Sequence, residues 1–417
     1  MEKVSIIIPV VRTESAERCV RAIKEYAPEG RYEIVVEQDI AHVGCPEMVK
    51  RLTEKAKYDL VMFLGDDTVP GPGFLDAAVT AMAVLPDSWG VVGLNTEDPR
   101  GSNPLAHWMA HKKMLDYTGG DFFSTEYRHC WCDNELRDIA EELGRWVFAE
   151  NARIEHRHPI NKSAENDEHY QRAYSEEAKK YDKKTYFLRK IERSRIKNNG
   201  LRLGIGWPIT DSMMHTNFVT SFIAMKKPAF DFFVPQHRGR IDAVRNDIVE
   251  QALQEGVTHL WMTDTDQIYF DDDILSKMLS HEVPIVTLPI MRRYPPFDPM
   301  LWRKNGDGEH HEVSFSEIKE AFEKKKTLEI DVTGAGSILF DMRVFVETEP
   351  PWFKLPEYGE RGPGEDIYFW NKAHNAGYKI LVDCSVNVEH LTAMGVGWNT
   401  HLLFRKLNHM EGKENGK

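Results

Sequence analysis

The hydrophobic pattern of the chain begins with a short β-branched run, Val4–Val10, which closes around Pro9. Such a run predicts a strand buried on both faces of a parallel sheet. Cys19, Val20, Ile23 and Ala27 follow at helical spacing. Glu33–Glu37 and Asp59–Leu64 predict two more strands, Phe74–Leu85 a helix, and Gly90–Leu94 a fourth strand. Strands that alternate with helices in this way predict an α/β layer with a mostly parallel sheet.

From about 161 to 200 the periodicity gives way to charge, with no proline between Pro159 and Pro208. This stretch reads as a solvated, charged helical linker. The alternative reading is an arm that binds an acceptor or a partner. Beyond Gly200 the alternation resumes. Val219–Ala224 predicts a strand, and Ile241, Val244, Ile248, Ala252 and Leu253 mark a helix face that stops before Gly256. Val257–Thr263, Pro284–Leu288 and Ser337–Asp341 predict strands; Asp366–Ala376 predicts a helix closed by Gly377, and Tyr378–Val382 a last strand.

The two stretches share more than a grammar. Acidic residues end a strand at Asp66-Asp67 and again at Asp264-Thr265-Asp266, so Asp67 matches Asp266 at a separation of 199. Asp133 precedes Gly144 by 11 positions, as Asp366 precedes Gly377. Ile154-Glu155-His156 then matches Val388-Glu389-His390, at a separation of 234. One insertion of about 34 residues within 292–331 accounts for the growing offset. Three motifs in one order predict two homologous domains in tandem: 1–160 and 201–400, joined by the linker at 161–200 and followed by a polar tail at 401–417.

Composition narrows the setting. The chain has 417 residues, 41% hydrophobic and 29% charged, which excludes wholesale disorder and fits two or three domains. Lys and Arg number 53 against 66 Asp and Glu, a net charge of −13 that speaks against a nucleic-acid partner gripped over a broad face. The cysteines form an odd set (Cys19, Cys45, Cys130, Cys132 and Cys384) without a C-x-x-C pair, which argues against a disulfide framework. No apolar run approaches the ~18 residues of a transmembrane helix, and the N-terminus lacks the regions of a signal peptide. The expectation is a reduced, soluble, cytoplasmic protein.

Candidate chemistry concentrates at the repeated motifs. At a strand end the carboxylates of Asp264 and Asp266 can converge on one cation, in the oxygen-rich shell that Mg²⁺ or Mn²⁺ takes. A solvated acidic turn is the alternative. Glu365-Asp366 at a helix start serves either as a cap or as a general base for an acceptor hydroxyl. His390, arriving behind a strand, is a candidate for the last metal ligand. The cluster His129-Cys130-Trp131-Cys132 with His156 and His158 offers a weaker zinc alternative. GAGSIL at 334–339 lacks the remaining features of a dinucleotide fingerprint, and no P-loop is present.

Together these motifs resemble nucleotide-sugar-dependent glycosyltransferases of the GT-A fold, especially glycosyltransferase family 2. The likeness spans most of 1–160 and 201–395. The resemblance implies two tandem GT-A, Rossmann-like domains, each taking a UDP- or GDP-sugar with Mn²⁺ or Mg²⁺ and transferring the sugar to a hydroxyl of a glycan or another acceptor. In the second domain it implies Asp264, Asp266 and His390 as metal ligands, and Asp366 and Glu365 as the acceptor-side acids. Arg245 and the small-residue loop Gly334-Ala335-Gly336 then lie at the donor. In the first domain it implies Asp67 and His156 at the metal, Asp133 as base, and Asp39 and Asp66 at the donor nucleotide. Gly65 departs from the pattern where the first Asp belongs, and Cys132 where Glu365 stands. These departures leave open a second arrangement, in which only the second domain is catalytic and the first binds glycan or assists assembly. A third reading is glycosylation of a hydroxymethylated DNA base, as some phage enzymes perform. A helix start is expected to favour the ionised Asp366 and so lower its proton affinity.

Overall fold

The structure is a computed structural model. It describes residues 2–96, 105–159, 162–210, 213–236, 239–304, 309–357, 362–393, 397–398, 400–403 and 406. The chain divides into two compact units, Met1–Lys190 and Ile191–Lys417.

The first unit contains β1 (Val4–Val10), β2 (Tyr32–Gln38), β3 (Leu60–Phe63), β4 (Thr68–Pro70), β5 (Val91–Asn95), β6 (Trp108–His111) and β7 (Trp146–His156). Its helices are α1 (Thr13–Tyr26), α2 (Cys45–Lys55), α3 (Phe74–Val84), α4 (Leu115–Thr118), α5 (Cys132–Glu142), α6 (Glu168–Ala173) and α7 (Glu176–Lys197), the last running past the division. The strands form one sheet in the order β2-β1-β3-β6-β5-β7-β4. β1 is parallel to β2 and β3, while β6 runs antiparallel to both of its neighbours. Every residue of β1 is buried, which is why its sequence is continuous rather than alternating.

The second unit contains β8 (Leu203–Gly206), β9 (Phe230–Phe233), β10 (His259–Thr263), β11 (Gln267–Tyr269), β12 (Ile285–Thr287), β13 (Leu301–Lys304), β14 (His310–Glu312), β15 (Thr327–Ile330), β16 (Val332–Thr333), β17 (Ser337–Asp341), β18 (Ile380–Asp383) and β19 (Val388–His390). Its helices are α8 (Thr216–Ala224), α9 (Ile241–Glu255), α10 (Ile274–Ser280), α11 (Phe315–Glu323), α12 (Arg343–Thr348) and α13 (Glu365–Asn375). The main sheet is ordered β15-β18-β12-β17-β10-β8-β9. Read from the other edge, it repeats the first sheet, with β9, β8, β10, β17, β12 and β18 in the places of β2, β1, β3, β6, β5 and β7.

The registers coincide as well as the order. Val4 pairs with Leu60 in β1·β3, and Leu203 with His259 in β8·β10, a separation of 199 on both strands. Thr68 pairs with His156 where β4 meets β7, and Gln267 pairs with His390 where β11 meets β19. The fold is mixed α/β of Rossmann-like layering, as the strand and helix alternation predicts. The extra elements β13, β14, α11 and β15 of the second unit fall within 292–331.

Two sequence expectations need correction. Val219–Ala224 lies in a helix, not a strand: Phe218 and Phe222, four residues apart, both point into the core. A short apolar run is compatible with either element, and here the helical spacing prevails. The charged segment is helical over Glu168–Ala173 and Glu176–Lys197, and it buries one face while the rest stands in solvent. Tyr170, Ala178, Tyr186 and Phe187 are buried, and Asp182 is fully buried with them.

Candidate active site

In each unit a carboxylate and an imidazole meet where a strand end faces the last strand. Asp67 precedes β4 and lies 3.5 Å from Nε2 of His156. Asp266 precedes β11 and lies 3.3 Å from Nε2 of His390. The same backbone bond locks both pairs: Arg157 N–H donates to the Asp67 carbonyl, and Leu391 N–H to the Asp266 carbonyl.

In the second unit Asp266 also receives Gln267 Nε2 at 3.2 Å and faces Arg293 at 3.2 Å. Burial would raise its carboxyl, but His390 and Arg293 outweigh that and hold it below the ordinary range. His390 Nδ1 is bonded to the Met291 carbonyl at 2.7 Å, which turns Nε2 towards Asp266. A carbonyl behind the ring is the arrangement that orients a metal-ligating histidine. Oxygen and imidazole donors of this kind fit Mn²⁺ or Mg²⁺ completed by phosphate oxygens.

Asp264 is engaged differently. Arg245 Nη2 donates to its two oxygens at 2.9 and 3.1 Å, and Arg245 Nε faces Glu365 at 3.4 Å. Arg245 is 3% exposed and holds two partly exposed acids, Asp264 and Glu365, in a triad of charges. Burial and the neighbouring acids raise the Asp264 carboxyl despite Arg245. The guanidinium also reaches the Ala335 carbonyl at 3.4 Å, and Gly336 accepts from Asp264 N–H at 2.8 Å. The small-residue loop thus packs against the triad. A Cβ at Gly334 would meet Met300 Cε at 2.4 Å, so a larger residue there requires the Met300 side chain to move.

Asp366 lies at the start of α13, its Oδ1 accepting Ile367 N–H at 2.8 Å. Its carboxyl is raised to about 6 by burial first and by Glu365 second. The helix start alone predicts a lower value; desolvation and a like charge prevail over it.

In the first unit the corresponding residues gather on a cavity of about 960 Å³ whose lining includes Asp39, Asp66, Asp67, His107, Cys132, Asp133 and His156. Asp66 is turned to structural use, accepting Val11 N–H at 2.7 Å, Arg12 N–H at 2.6 Å and Arg12 Nη1 at 3.1 Å. Asp39 caps the loop before α2, taking the N–H groups of Val43 and Gly44 at 2.8 and 3.0 Å. Asp133 stands at the start of α5 and accepts Asn134 N–H at 2.9 Å. Burial would raise Asp67, but His156, His107 and Tyr170 hold it well below the carboxylate range.

Several residues of this cavity carry no sequence signal. Tyr170 of α6 donates its phenol to Asp67 Oδ2 at 2.6 Å. Arg12 lies 3.9 Å above the Tyr170 ring and pairs with Asp167 at 2.7 Å. Asp182 of α7 accepts the N–H groups of Arg128, His129 and Cys130 at 2.7, 2.9 and 2.7 Å, fixing the loop that leads to Asp133. Among the described residues, the one close set of three metal-capable side chains is Asp67, His107 and His156, with no cysteine in it.

No family model matches the chain, and no curated protein matches it. Similar solved structures include A197 from STIV, 14% identical over 46% of this chain and 86% of that chain, with a TM-score of 0.32. Another is S. aureus TarS 1-349 in complex with UDP-GlcNAc, 13% identical over 46% of this chain and 65% of that one, TM-score 0.34. A third is the mannosyltransferase PcManGT from Pyrobaculum calidifontis in complex with GDP-Man and Mn²⁺, 17% identical over 46% and 64%, TM-score 0.33. The chain therefore spans less than two thirds of these last two. Likeness at this level carries no conclusion about activity.

Proposed function

We propose that the chain is a bifunctional, metal-dependent glycosyltransferase. Each unit binds a UDP- or GDP-sugar through Mn²⁺ or Mg²⁺ and transfers the sugar to an acceptor hydroxyl, in glycan synthesis. The observation that carries this reading is the repeated constellation: a strand-end carboxylate, an imidazole paired to it in the same register, and an aspartate at a helix start.

Asp266 with His390, and Asp67 with His156, would hold the cation, whose positive charge neutralises the departing diphosphate. Asp366 takes the proton from the acceptor hydroxyl. With its carboxyl at about 6 it is ionised at neutral pH yet keeps more proton affinity than an exposed aspartate. Glu365 supplies part of that basicity through its charge, and Arg245 holds Glu365 and Asp264 in place. Asp133 has the same position in the first unit. The cavity around Asp67 and Asp133 favours two active units over a catalytic second unit alone.

A thermal-shift panel of UDP- and GDP-sugars with and without Mn²⁺ tests the reading. A bound donor raises the melting temperature by mass action, and the rise should require the cation. No shift with any nucleotide sugar, together with no hydrolysis of one, overturns it.

A further inference from the structure

We infer that His107 is a third protein ligand, so that the first unit holds a transition-metal ion without a nucleotide. The inference rests on the reading of Asp67 and His156 as cation ligands and adds to it. The donor atoms of Asp67, His107 and His156 all lie within 4.8 Å of one another. Ligands at 2.0–2.2 Å from a shared ion sit about 3–4 Å apart, a gap that side-chain rotation closes.

His107 is 4% exposed, and its Nε2 has no hydrogen-bond partner. A buried polar atom left so costs free energy unless something binds it. Nδ1 faces Gly65 N–H at a long 3.3 Å. Ligation through Nε2 moves the ring proton to Nδ1 and so gives up this weak bond. Gly65 is partly exposed, so its N–H can pass to water.

The comparison of the two units supplies the independent support. Leu94 N–H donates to the His107 carbonyl as Leu288 N–H does to that of Ser337, so the two positions are equivalent. Gly65 stands where the second unit has Asp264. A Cβ at Gly65 would lie 2.6 Å from Asp67 Oδ1 and 3.1 Å from His107 Cε1. Loss of the first acid of the motif thus makes the room that His107 occupies. The first unit trades a carboxylate for an imidazole, and Tyr170 donates to Asp67 Oδ2 rather than to Oδ1. Two imidazoles and one carboxylate favour Mn²⁺, Co²⁺ or Zn²⁺ over Mg²⁺. The second unit, with Ser337, offers two ligands and depends on the donor diphosphate to complete the shell.

The test uses the full chain carrying Asp266→Ala, stripped with chelator and free of nucleotide. Co²⁺ is titrated in, visible absorption reports binding, and X-ray absorption counts the imidazoles around the ion. Two imidazoles are expected without nucleotide, and His107→Ser should leave one and weaken binding at least ~10-fold, the smallest loss that even an outer-shell partner carries. One imidazole in the protein that keeps His107, or binding only when UDP or GDP is added, overturns the inference, whether or not the serine variant folds. Unchanged affinity in a folded His107→Ser protein does the same. Donor hydrolysis is a separate readout: cobalt held by two imidazoles in a protein that consumes no nucleotide sugar refutes the transferase reading and keeps this one.

Discussion

The buried Arg245 and the partly exposed Asp264 form an ion pair, with 2.9 Å between Nη2 and Oδ1. The first unit dispenses with the whole arrangement. Cys45 lies beside Cys132 in the first unit, as Arg245 lies beside Glu365 in the second. Gly65 then stands for Asp264 and Cys132 for Glu365. Arg245 and the two acids it pairs with are absent together. A buried charge left alone is far more costly than a buried triad replaced as a set.

That logic gives the first prediction. Arg245→Met should leave the partly buried Asp264 and Glu365 without their cation and destabilise the second unit by about 1–3 kcal/mol. Urea unfolding followed by tryptophan fluorescence measures it. An unchanged midpoint would mean that the triad contributes nothing to folding.

Asp366 predicts a pH dependence. Its carboxyl lies at about 6, so transfer by the second unit should fall as pH drops below 6, when the base is protonated. Asp366→Asn should lower the rate by ~10²–10⁴-fold without loss of donor binding. Glu365→Gln removes the neighbouring negative charge and should move the acidic limb to lower pH. The stability effect has the opposite sign to that of a paired carboxylate. The folded-state value lies above the unfolded 3.8, so the contribution is present below that value and lost as pH rises through about 6. If Asp366→Asn transfers at near-full rate while Glu365→Gln is inactive, the roles are reversed.

Asp182 carries a third prediction. A fully buried carboxylate that accepts three backbone N–H groups organises residues 128–130. Asp182→Ala strands those donors and should cost roughly 2–3 kcal/mol. Transfer by the first unit should fail at temperatures where the second still works. Equal loss in both units would contradict a local role.

The elements that the sequence makes legible are those whose signal is local. Val4–Val10 reads as a strand because full burial demands an unbroken apolar run. The pairing of Asp67 with Asp266 and of His156 with His390 follows from spacing alone. The α6–α7 segment escapes because its buried residues, Tyr170, Tyr186 and Phe187, are scattered among many lysines and glutamates. Composition there hides a contact face. His107 looks like one more histidine before an apolar strand, and only the neighbouring strand end at Gly65 makes it a ligand. The proton affinity of Asp366 depends on burial, which no motif encodes.

The last prediction separates the two units. Asp67 and Asp266 occupy equivalent positions, each paired to an imidazole in one register. Asp266 side-chain atoms carry little packing, being part-exposed at the head of a three-residue strand. Asp266→Ala should therefore fold normally and lose transfer by the second unit, since a cation that stabilises the leaving diphosphate lowers the barrier by several kcal/mol, on the order of 10²-fold or more in rate. Asp67→Ala should silence the first unit alone, and it should also release Tyr170, whose phenol then lacks its carboxylate. With a donor panel and products resolved by mass spectrometry, each variant should abolish one linkage and spare the other. If Asp266→Ala abolishes all products and Asp67→Ala none, the first unit is not a transferase. If neither variant changes any product, the paired carboxylate and imidazole do not hold the working cation, and the reading of both units fails with them.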